Sequence, residues 1–279
     1  MSVSKLTAII KADQARGRLT PVPYLPAAFP TADRFWNVLA ELDASGAGII
    51  EIGIPFSDPV ADGPVVAAAS QAALENGGGL KYIFDGLASR RGSLKCGLVL
   101  MGYVNPFMQY GLDEAGGYAP GVTVQQAISA SLDILAARLN EAGISGLIVP
   151  DLPLEESGPW IAALKKYGLD LIPLVGPNTA PERMKLYAES GMGGYVYVVS
   201  VMGTTGVREG LPPEVTGTLL RARQVFDLPL ALGFGLKSPK QLASLEEKIR
   251  PDAAVFGSAL IRHLEDGGKV EDFMAPWQN

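Results

Sequence analysis

The chain alternates between short apolar runs and longer segments in which apolar residues recur at helical spacing. Apolar runs of roughly four to eight residues bounded by turn residues are typical of strands, and the longer mixed segments are typical of amphipathic helices. Eight runs predict strands, at residues 21–25, 48–54, 97–102, 146–150, 169–174, 194–199, 229–233 and 253–256. Each is followed by a helix-compatible segment, at residues 31–44, 65–76, 124–142, 155–167, 181–190, 213–225, 239–247 and 258–264.

The repeated strand–helix order predicts an α/β fold built on a parallel sheet. Eight such units in about 250 residues match a closed (β/α)8 barrel, the TIM barrel. An open doubly wound sheet is the alternative, but it would normally carry a Gly-rich dinucleotide-binding turn after the first strand, and "YLPAAFPT" is not that turn. No linker divides the chain, so we expect one TIM-barrel domain over residues 1–279, with an extra N-terminal helix within residues 1–18.

Composition and charge exclude several classes of function. The chain is 48% hydrophobic with a formal net charge of -6, which argues against a general nucleic-acid or membrane-binding surface. No apolar stretch reaches the roughly 18 to 20 residues of a membrane helix, and the N-terminus has no signal-peptide pattern. The single Cys96 excludes an intramolecular disulfide, and no His or Cys cluster has metal-ligand spacing. We therefore expect a cytoplasmic protein with no metal site.

One carboxylate interrupts the second predicted strand. Glu51 stands in the middle of "GIIEIGIP", a run that is apolar enough for a strand buried on both faces. A buried carboxylate without a partner costs several kcal/mol, so such a group is paired, protonated or placed where chemistry needs it. A buried ion pair is the structural alternative, although the immediate neighbours of Glu51 supply no cation.

Two more carboxylates follow in the loop after this strand. Asp58 and Asp62 lie in "PFSDPVADGP", where three prolines restrict the backbone. Since the βα loops of a TIM barrel form its active site, the loop would bring these carboxylates to the same barrel mouth as Glu51. Two carboxylates in different environments can separate the roles of acid and base. Turn or helix-cap roles for Asp58 and Asp62 are the alternative.

The last two units carry the pattern of a phosphate site. Gly233 and Gly235 in "LALGFGLKSP" would let the backbone approach a ligand, and Gly257 with Ser258 opens a helix whose free N–H groups favour an anion. TIM barrels often bind phosphate after strands seven and eight. Backbone groups would let this acidic chain bind phosphate without Lys or Arg.

Two connections are candidates for mobile or functional segments. Residues 200–211, "SVMGTTGVREG" and the residue after it, are rich in Gly and Thr and predict a closing lid after strand six. Residues 111–126 form the one long Gly-rich connection, and we expect an extended loop there after strand three. A tolerated surface insertion is the alternative for this loop.

The motif "EIGIPFSDPVADGP" resembles the signature of the tryptophan synthase alpha chain, an indole-3-glycerol-phosphate lyase. The similarity continues through "YVNPFMQYG", "GLIVPDLPLEE", "GYVYVVSVMGTTG", "GFGLKSP" and "FGSALI", and so covers nearly the whole chain from Pro21 to about Leu260. What the resemblance implies is a retro-aldol cleavage of indole-3-glycerol phosphate to indole and glyceraldehyde 3-phosphate, in the last steps of tryptophan biosynthesis. The family fold is the TIM barrel already predicted.

The resemblance also implies roles for individual residues. Glu51 matches the general acid/base, Asp62 matches the carboxylate that holds the indole N–H, and Tyr197 matches a tyrosine near the reacting centre. The positions that match the indole pocket are Tyr24, Met101, Tyr103, Ile148, Thr205, Phe234 and Val255. The positions that match the phosphate site are Gly206, Phe234, Gly235, Gly257 and Ser258. Core packing is the alternative for each tyrosine.

A partner follows from the same resemblance. It implies that indole passes to a tryptophan synthase beta chain in an α2β2 heterotetramer, with Asp58, Pro59 and Asn105 in contact with that chain. It implies no cofactor in this chain, with pyridoxal phosphate expected only in the beta chain.

Two other functions compete with the lyase. The first is a catalytically weak regulatory subunit that mainly docks on a beta chain, and retention of Glu51, Asp62 and Thr205 argues against it. The second is another phosphate-binding barrel isomerase or aldolase. A Schiff-base lysine would favour that class, and no Lys stands at the end of a predicted strand.

Overall fold

A computed structural model describes residues 4–90, 92–117, 121–199, 212–233, 235–242 and 245–278. The strands in this part of the chain are β1 (Thr20–Pro26), β2 (Ile49–Gly53), β3 (Gly97–Met101), β4 (Gly146–Ile148), β5 (Asp170–Leu171), β6 (Leu174–Val175), β7 (Val196–Val199), β8 (Leu230–Gly233) and β9 (Ala253–Phe256). They form one sheet in the order β5-β4-β3-β2-β1-β9-β8-β7-β6, and every neighbouring pair is parallel.

The sheet closes because its two outermost strands are one piece of chain. Residues 172 and 173 alone separate β5 from β6. The Ile172 amide donates to the Leu147 carbonyl at 2.9 Å, on the β4 side. The Pro173 carbonyl accepts from the Tyr197 amide at 2.9 Å, on the β7 side. This segment therefore joins both edges, and the predicted TIM barrel is confirmed.

The fifth predicted strand differs from the observed one. A single strand was expected over residues 169–174, whereas the structure has the two short strands β5 and β6. Proline has no N–H to donate to a ladder, so a strand cannot continue regularly through Pro173. The interruption lets successive residues bond to opposite neighbours.

The helices of the described chain are α1 (Lys5–Gln14), α2 (Ala32–Ala44), α3 (Pro64–Glu75), α4 (Leu80–Ala88), α5 (Val104–Glu114), α6 (Val124–Glu141), α7 (Gly158–Lys165), α8 (Pro181–Glu189), α9 (Pro213–Val225), α10 (Ser258–Glu265) and α11 (Val270–Met274). Helices α4, α5 and α11 were not predicted. The helix predicted at residues 239–247 is instead a 3-10 turn at Pro239–Leu242 and another at Glu247–Ile249. Within the described ranges, no helix has the length and apolar character needed to cross a membrane.

Helix α1 covers the amino-terminal end of the barrel and corresponds to the helix predicted within residues 1–18. Leu6 is fully buried and packs where three strands begin. A Cβ atom added to Gly97 or Gly146 would lie 3.0 or 3.1 Å from a Leu6 methyl group, and one added to Gly194 would lie 3.2 Å away. The glycines at these strand starts therefore admit the leucine side chain. The amino-terminal end is closed, and the open end of the barrel is the carboxyl-terminal one.

The connection between β3 and β4 is more helical than predicted. An extended loop was expected over residues 111–126, but α5 continues to Glu114 and α6 begins at Val124. A Cβ atom at Gly111 would overlap the Ser131 hydroxyl of α6. Gly111 thus permits a close contact between α5 and α6. The sequence analysis placed it in a loop and did not predict this contact. The non-helical part is residues 115–123, of which 118–120 lie outside the described residues.

Candidate active site

A cavity of about 400 Å³ opens at the carboxyl-terminal end of the barrel. Its wall includes side chains from four strands, namely Tyr24 of β1, Glu51 of β2, Met101 of β3 and Tyr197 of β7. Val255 of β9 completes this inner wall. In TIM barrels this end holds the active site, and the cavity is large enough for a small-molecule substrate.

Glu51 lies at the inner end of this cavity. Successive side chains of a strand point to opposite faces, so Glu51 points into the barrel while its chain neighbours Ile50 and Ile52 point the other way. The Glu51 side chain is completely buried, and within the described chain neither carboxylate oxygen has a hydrogen-bond partner. Burial, and secondarily the charge of Asp62, raises the pKa of Glu51 to about 8. The group is therefore mainly protonated at neutral pH.

Asp62 reaches the same cavity from the loop between β2 and α3. Burial raises the pKa of Asp62 to about 6, and a hydrogen bond from Tyr103 opposes that rise. The Tyr103 hydroxyl donates to Asp62 Oδ2 at 3.2 Å and accepts from the Ala61 amide at 3.0 Å. The Tyr103 ring in turn packs against Phe56, with ring centroids 5.2 Å apart. Asp62 is mainly ionised at neutral pH, so the two acids have opposite protonation states.

Two buried tyrosines complete the reactive end. Burial is the main cause that holds the pKa of Tyr24 and of Tyr197 well above the ordinary value, and the charges of Glu51 and Asp62 contribute to both. Both phenols therefore keep their protons and can donate hydrogen bonds. A Cβ atom at Gly233 would overlap the Tyr197 hydroxyl. Gly233 thus makes room for a tyrosine, whereas the sequence suggested that it makes room for a ligand.

The other end of the cavity has the features of an anion site. Gly257 caps α10 and, as a glycine, has no side chain that could accept from the first amides of the helix, and both Ser258 and Ala259 line the cavity. The first N–H groups of a helix have no acceptor within the helix. Gly235 also lines the cavity and has a φ of 80°, a left-handed conformation that favours glycine.

Several residues of the cavity wall were missed by the sequence analysis. Lys237 and Arg262 line the cavity near Gly235 and Ser258, although a phosphate site without Lys or Arg was expected. Gly63 to Val66, at the start of α3, form another part of the wall. The spacing of Ser258 and Arg262, four residues apart in one predicted helix, was a signal that both face the same side.

Other predicted residues lie elsewhere. Ile148 is completely buried at the end of β4 and is outside the cavity wall. Tyr103 does not line the cavity but holds Asp62. The predicted site residues Thr205, Gly206 and Phe234, and the predicted lid at 200–211, lie outside the described residues.

The predicted partner contacts lie on the outside of the barrel. Asp58 and Asn105 are exposed, and Pro59 is half-buried. Val60, in the same loop as Asp58, is 85% exposed. Asp58, Pro59 and Val60 lie in the loop that contains Asp62, and Asn105 lies in the first turn of α5, which begins directly after Tyr103.

Comparison with known proteins identifies the family. Residues 10–275 match the sequence model of the tryptophan synthase alpha chain family. The chain belongs to this family. It is 56% identical to the tryptophan synthase alpha chain of Desulfovibrio desulfuricans over 269 residues, covering 96% of this chain and 97% of the relative. It is 54% identical to that of Nitratidesulfovibrio vulgaris strain DP4 over 277 residues, covering 99% of each chain.

Solved structures agree with this assignment. A crystal structure of tryptophan synthase from Mycobacterium tuberculosis superimposes with a TM-score of 0.82 at 31% identity, covering 99% of this chain and 96% of that chain. Tryptophan synthase subunit alpha from Legionella pneumophila strain Paris gives a TM-score of 0.78 at 27% identity, covering 100% of each chain. The alpha chain is the indole-3-glycerol-phosphate lyase subunit, and the predicted lyase role in tryptophan biosynthesis is confirmed at the level of the family.

Proposed function

We propose that this chain cleaves indole-3-glycerol phosphate to indole and glyceraldehyde 3-phosphate, with Glu51 as the general acid/base and Asp62 as the carboxylate that binds the indole N–H. The observation that carries the proposal is Glu51 itself. It is completely buried, has no hydrogen-bond partner among the described residues and lines the same cavity as Asp62. A group held at that cost in the carboxyl-terminal end of a TIM barrel is a candidate for chemistry.

The protonation states suit the reaction. Cleavage needs a proton on indole C3, and a carboxyl group with a pKa of about 8 holds that proton at neutral pH. Transfer of the proton makes C3 tetrahedral and places positive charge on the ring nitrogen. The carboxylate of Asp62, with a pKa of about 6, is ionised and can stabilise that charge through the ring N–H.

Glu51 then acts in the opposite sense. As a carboxylate, it accepts the proton of the side-chain hydroxyl on the carbon attached to C3. The bond between this carbon and C3 breaks, and its electron pair returns to the ring. Indole and an aldehyde result, and Glu51 regains its proton. Tyr24 and Tyr197 also line the cavity, and both keep their phenol protons, so we place them beside the substrate side chain.

A partner chain is part of the proposal. We propose that a tryptophan synthase beta chain, the carrier of pyridoxal phosphate, docks at the loop that contains Asp58, Pro59 and Val60, with Asn105 beside it, in an α2β2 heterotetramer. The exposure of Val60, Asp58 and Asn105 supports this. The loop continues directly into Ala61 and Asp62, so docking could act on the catalytic carboxylate through the chain itself.

The test is steady-state release of indole from indole-3-glycerol phosphate by the wild type and by Glu51→Gln, each with and without a beta chain. Loss of a general acid/base should lower the rate by about two orders of magnitude or more. Glu271→Gln, a change of the same chemistry at an exposed position on α11, is the matched control and should retain wild-type activity.

The outcomes separate the competing functions. An active wild type with an inactive Glu51→Gln variant supports the lyase mechanism. A wild type that releases no indole in either condition, yet activates a beta chain, would instead assign the chain as a docking subunit. Equal activity of the two proteins would reject Glu51 as the acid/base.

A further inference from the structure

We propose that Lys237 and Arg262 bind the phosphate group of the substrate directly and set the preference of the site for a doubly charged phosphate ester. This inference rests on the proposed lyase function, because it assumes that indole-3-glycerol phosphate occupies the cavity. Both residues line that cavity together with Gly257 and Ser258, at the end that has the free helix amides.

Helix geometry directs Arg262 toward the anion site. Arg262 lies four residues after Ser258 in α10, so the two side chains share one face of the helix, with Cβ atoms about 5 to 6 Å apart. Long side chains in a helix point back toward its amino terminus. The guanidinium therefore extends toward the same first turn of α10 whose amides favour an anion.

Lys237 lies in a turn held by a glutamine side chain. Gln241 Oε1 accepts from the backbone amide of Lys237 at 2.6 Å and from that of Ser238 at 3.2 Å. These two amides are therefore occupied and cannot bind phosphate. The cationic group of this turn is the ammonium of Lys237, and Lys237 lines the cavity two residues after Gly235.

The two cations keep their charge available. Among the described residues, neither the Lys237 ammonium nor the Arg262 guanidinium takes part in an ion pair. The chain has 29 acidic residues for 23 basic ones, so acidic partners are not scarce. Two positive charges without an ion pair in the described chain match a phosphate dianion and would offset the repulsion from a chain of net charge -6.

The cavity is thereby polarised along its length. The acids Glu51 and Asp62 belong to β2 and the loop after it, whereas Lys237 and Arg262 follow β8 and β9, two or three strands away in the sheet order. A substrate with an N–H group at one end and a phosphate at the other is bound in one orientation, and the reversed orientation places phosphate beside a carboxylate. Electrostatic complementarity of this kind contributes specificity.

The test combines binding and kinetics of the full chain carrying Lys237→Gln, Arg262→Gln or both. Glycerol 3-phosphate is titrated by calorimetry, and KM and kcat are measured with indole-3-glycerol phosphate. An exposed ion pair contributes up to roughly fivefold in affinity. We therefore expect each variant to weaken glycerol 3-phosphate binding and raise KM by up to about fivefold, and the double variant by up to about 25-fold. The kcat should change less than twofold, and Lys237→Arg should restore binding.

Two controls make the outcome decisive. Lys240→Gln removes the same charge three residues away, at an exposed position outside the cavity, and should leave KM unchanged. Raising the salt concentration should weaken phosphate binding by the wild type more than by the double variant.

Unchanged glycerol 3-phosphate affinity in both single variants, with indole still released, would overturn the inference while leaving the lyase function intact. A wild type that binds glycerol 3-phosphate but releases no indole would reject the lyase function, and the binding variants would then decide the inference alone. A wild type that binds no glycerol 3-phosphate overturns the inference.

Discussion

Replacing Glu51 with glutamine should make the folded protein more stable at alkaline pH. Glu51 is completely buried without a hydrogen-bond partner in the described chain, and its pKa rises from an ordinary value of 4.5 to about 8. The folded state therefore favours the protonated acid, whereas the unfolded chain releases the proton above pH 4.5. Unfolding becomes more favourable as the pH rises from 4.5 to about 8, and the loss of stability is complete above that value.

The size of the effect follows from the two pKa values. One pKa unit corresponds to 1.36 kcal/mol, so the penalty on the free energy of unfolding is about 1 kcal/mol at pH 5, about 3 kcal/mol at pH 7 and about 5 kcal/mol at pH 9. Glutamine has nearly the same shape and does not ionise. Its buried amide carries a cost of its own, but that cost is the same at each pH. The difference between the two proteins should thus shift by about 4 kcal/mol in favour of Glu51→Gln between pH 5 and pH 9.

The assay is urea unfolding of both proteins, without ligand, at pH 5, 7 and 9. Asp62 is present in both, so its own titration cancels in the comparison. The exposed substitution Glu271→Gln serves as the control and should follow the wild type at every pH. If the free energies of unfolding of the wild type and Glu51→Gln changed in parallel with pH, Glu51 would not have a raised pKa. Glu51 could then not be the proposed proton donor.

Three other predictions test the site and its support. The kcat/KM for indole release should be bell-shaped, rising near pH 6 as Asp62 ionises and falling near pH 8 as Glu51 loses its proton; a flat profile from pH 5 to 9 contradicts this. Tyr103→Phe removes the hydrogen bond that favours ionised Asp62, so the acidic limb of the kcat/KM profile should move to higher pH while the alkaline limb stays in place. An acidic limb at the wild-type pH would reject that role for the Tyr103 hydroxyl. Arg223→Gln should lower the free energy of unfolding by about 3 kcal/mol with KM unchanged, since it leaves buried Asp252 without its ion pair; a loss below about 1 kcal/mol in urea unfolding would count against it.

The barrel could be predicted because its strands are buried on both faces and therefore leave a clear apolar pattern. Helices were harder to predict where the sequence contains residues that usually interrupt a helix but that the packing tolerates. Residues 104–114 contain Pro106 and Gly111 and were not predicted as a helix, yet a proline is tolerated in the first turn and the glycine serves contact with α6. Close packing between distant segments is invisible to local periodicity.

The two acids of the cavity could be picked out from the sequence, whereas most of the residues around them could not. Glu51 and Asp62 stood out because a carboxylate in an apolar run, and another in a proline-rich loop, are locally unusual. The role of Tyr103 as a support for Asp62 depends on a contact across 41 residues, which no local pattern encodes. Lys237 and Arg262 were missed because exposed cations are common, and only the barrel topology brings the turn after β8 and the helix after β9 to one cavity.

The buried acids at the two ends of the barrel differ in their hydrogen-bond donors. At the amino-terminal end, Asp252 accepts from Arg223 at 2.5 and 2.6 Å and from the Leu230 amide at 2.6 Å, so its charge is compensated and its removal should weaken the fold. At the carboxyl-terminal end, Glu51 has no such donors in the described chain, and its ionisation opposes folding. The two buried carboxyls thus differ in the donors around them: Asp252 contributes to the fold through its hydrogen bonds, whereas Glu51 is favoured in the fold as the protonated acid. Donors that compensated Glu51 would stabilise the barrel, but they would also lower its pKa and remove the proton that the proposed reaction requires.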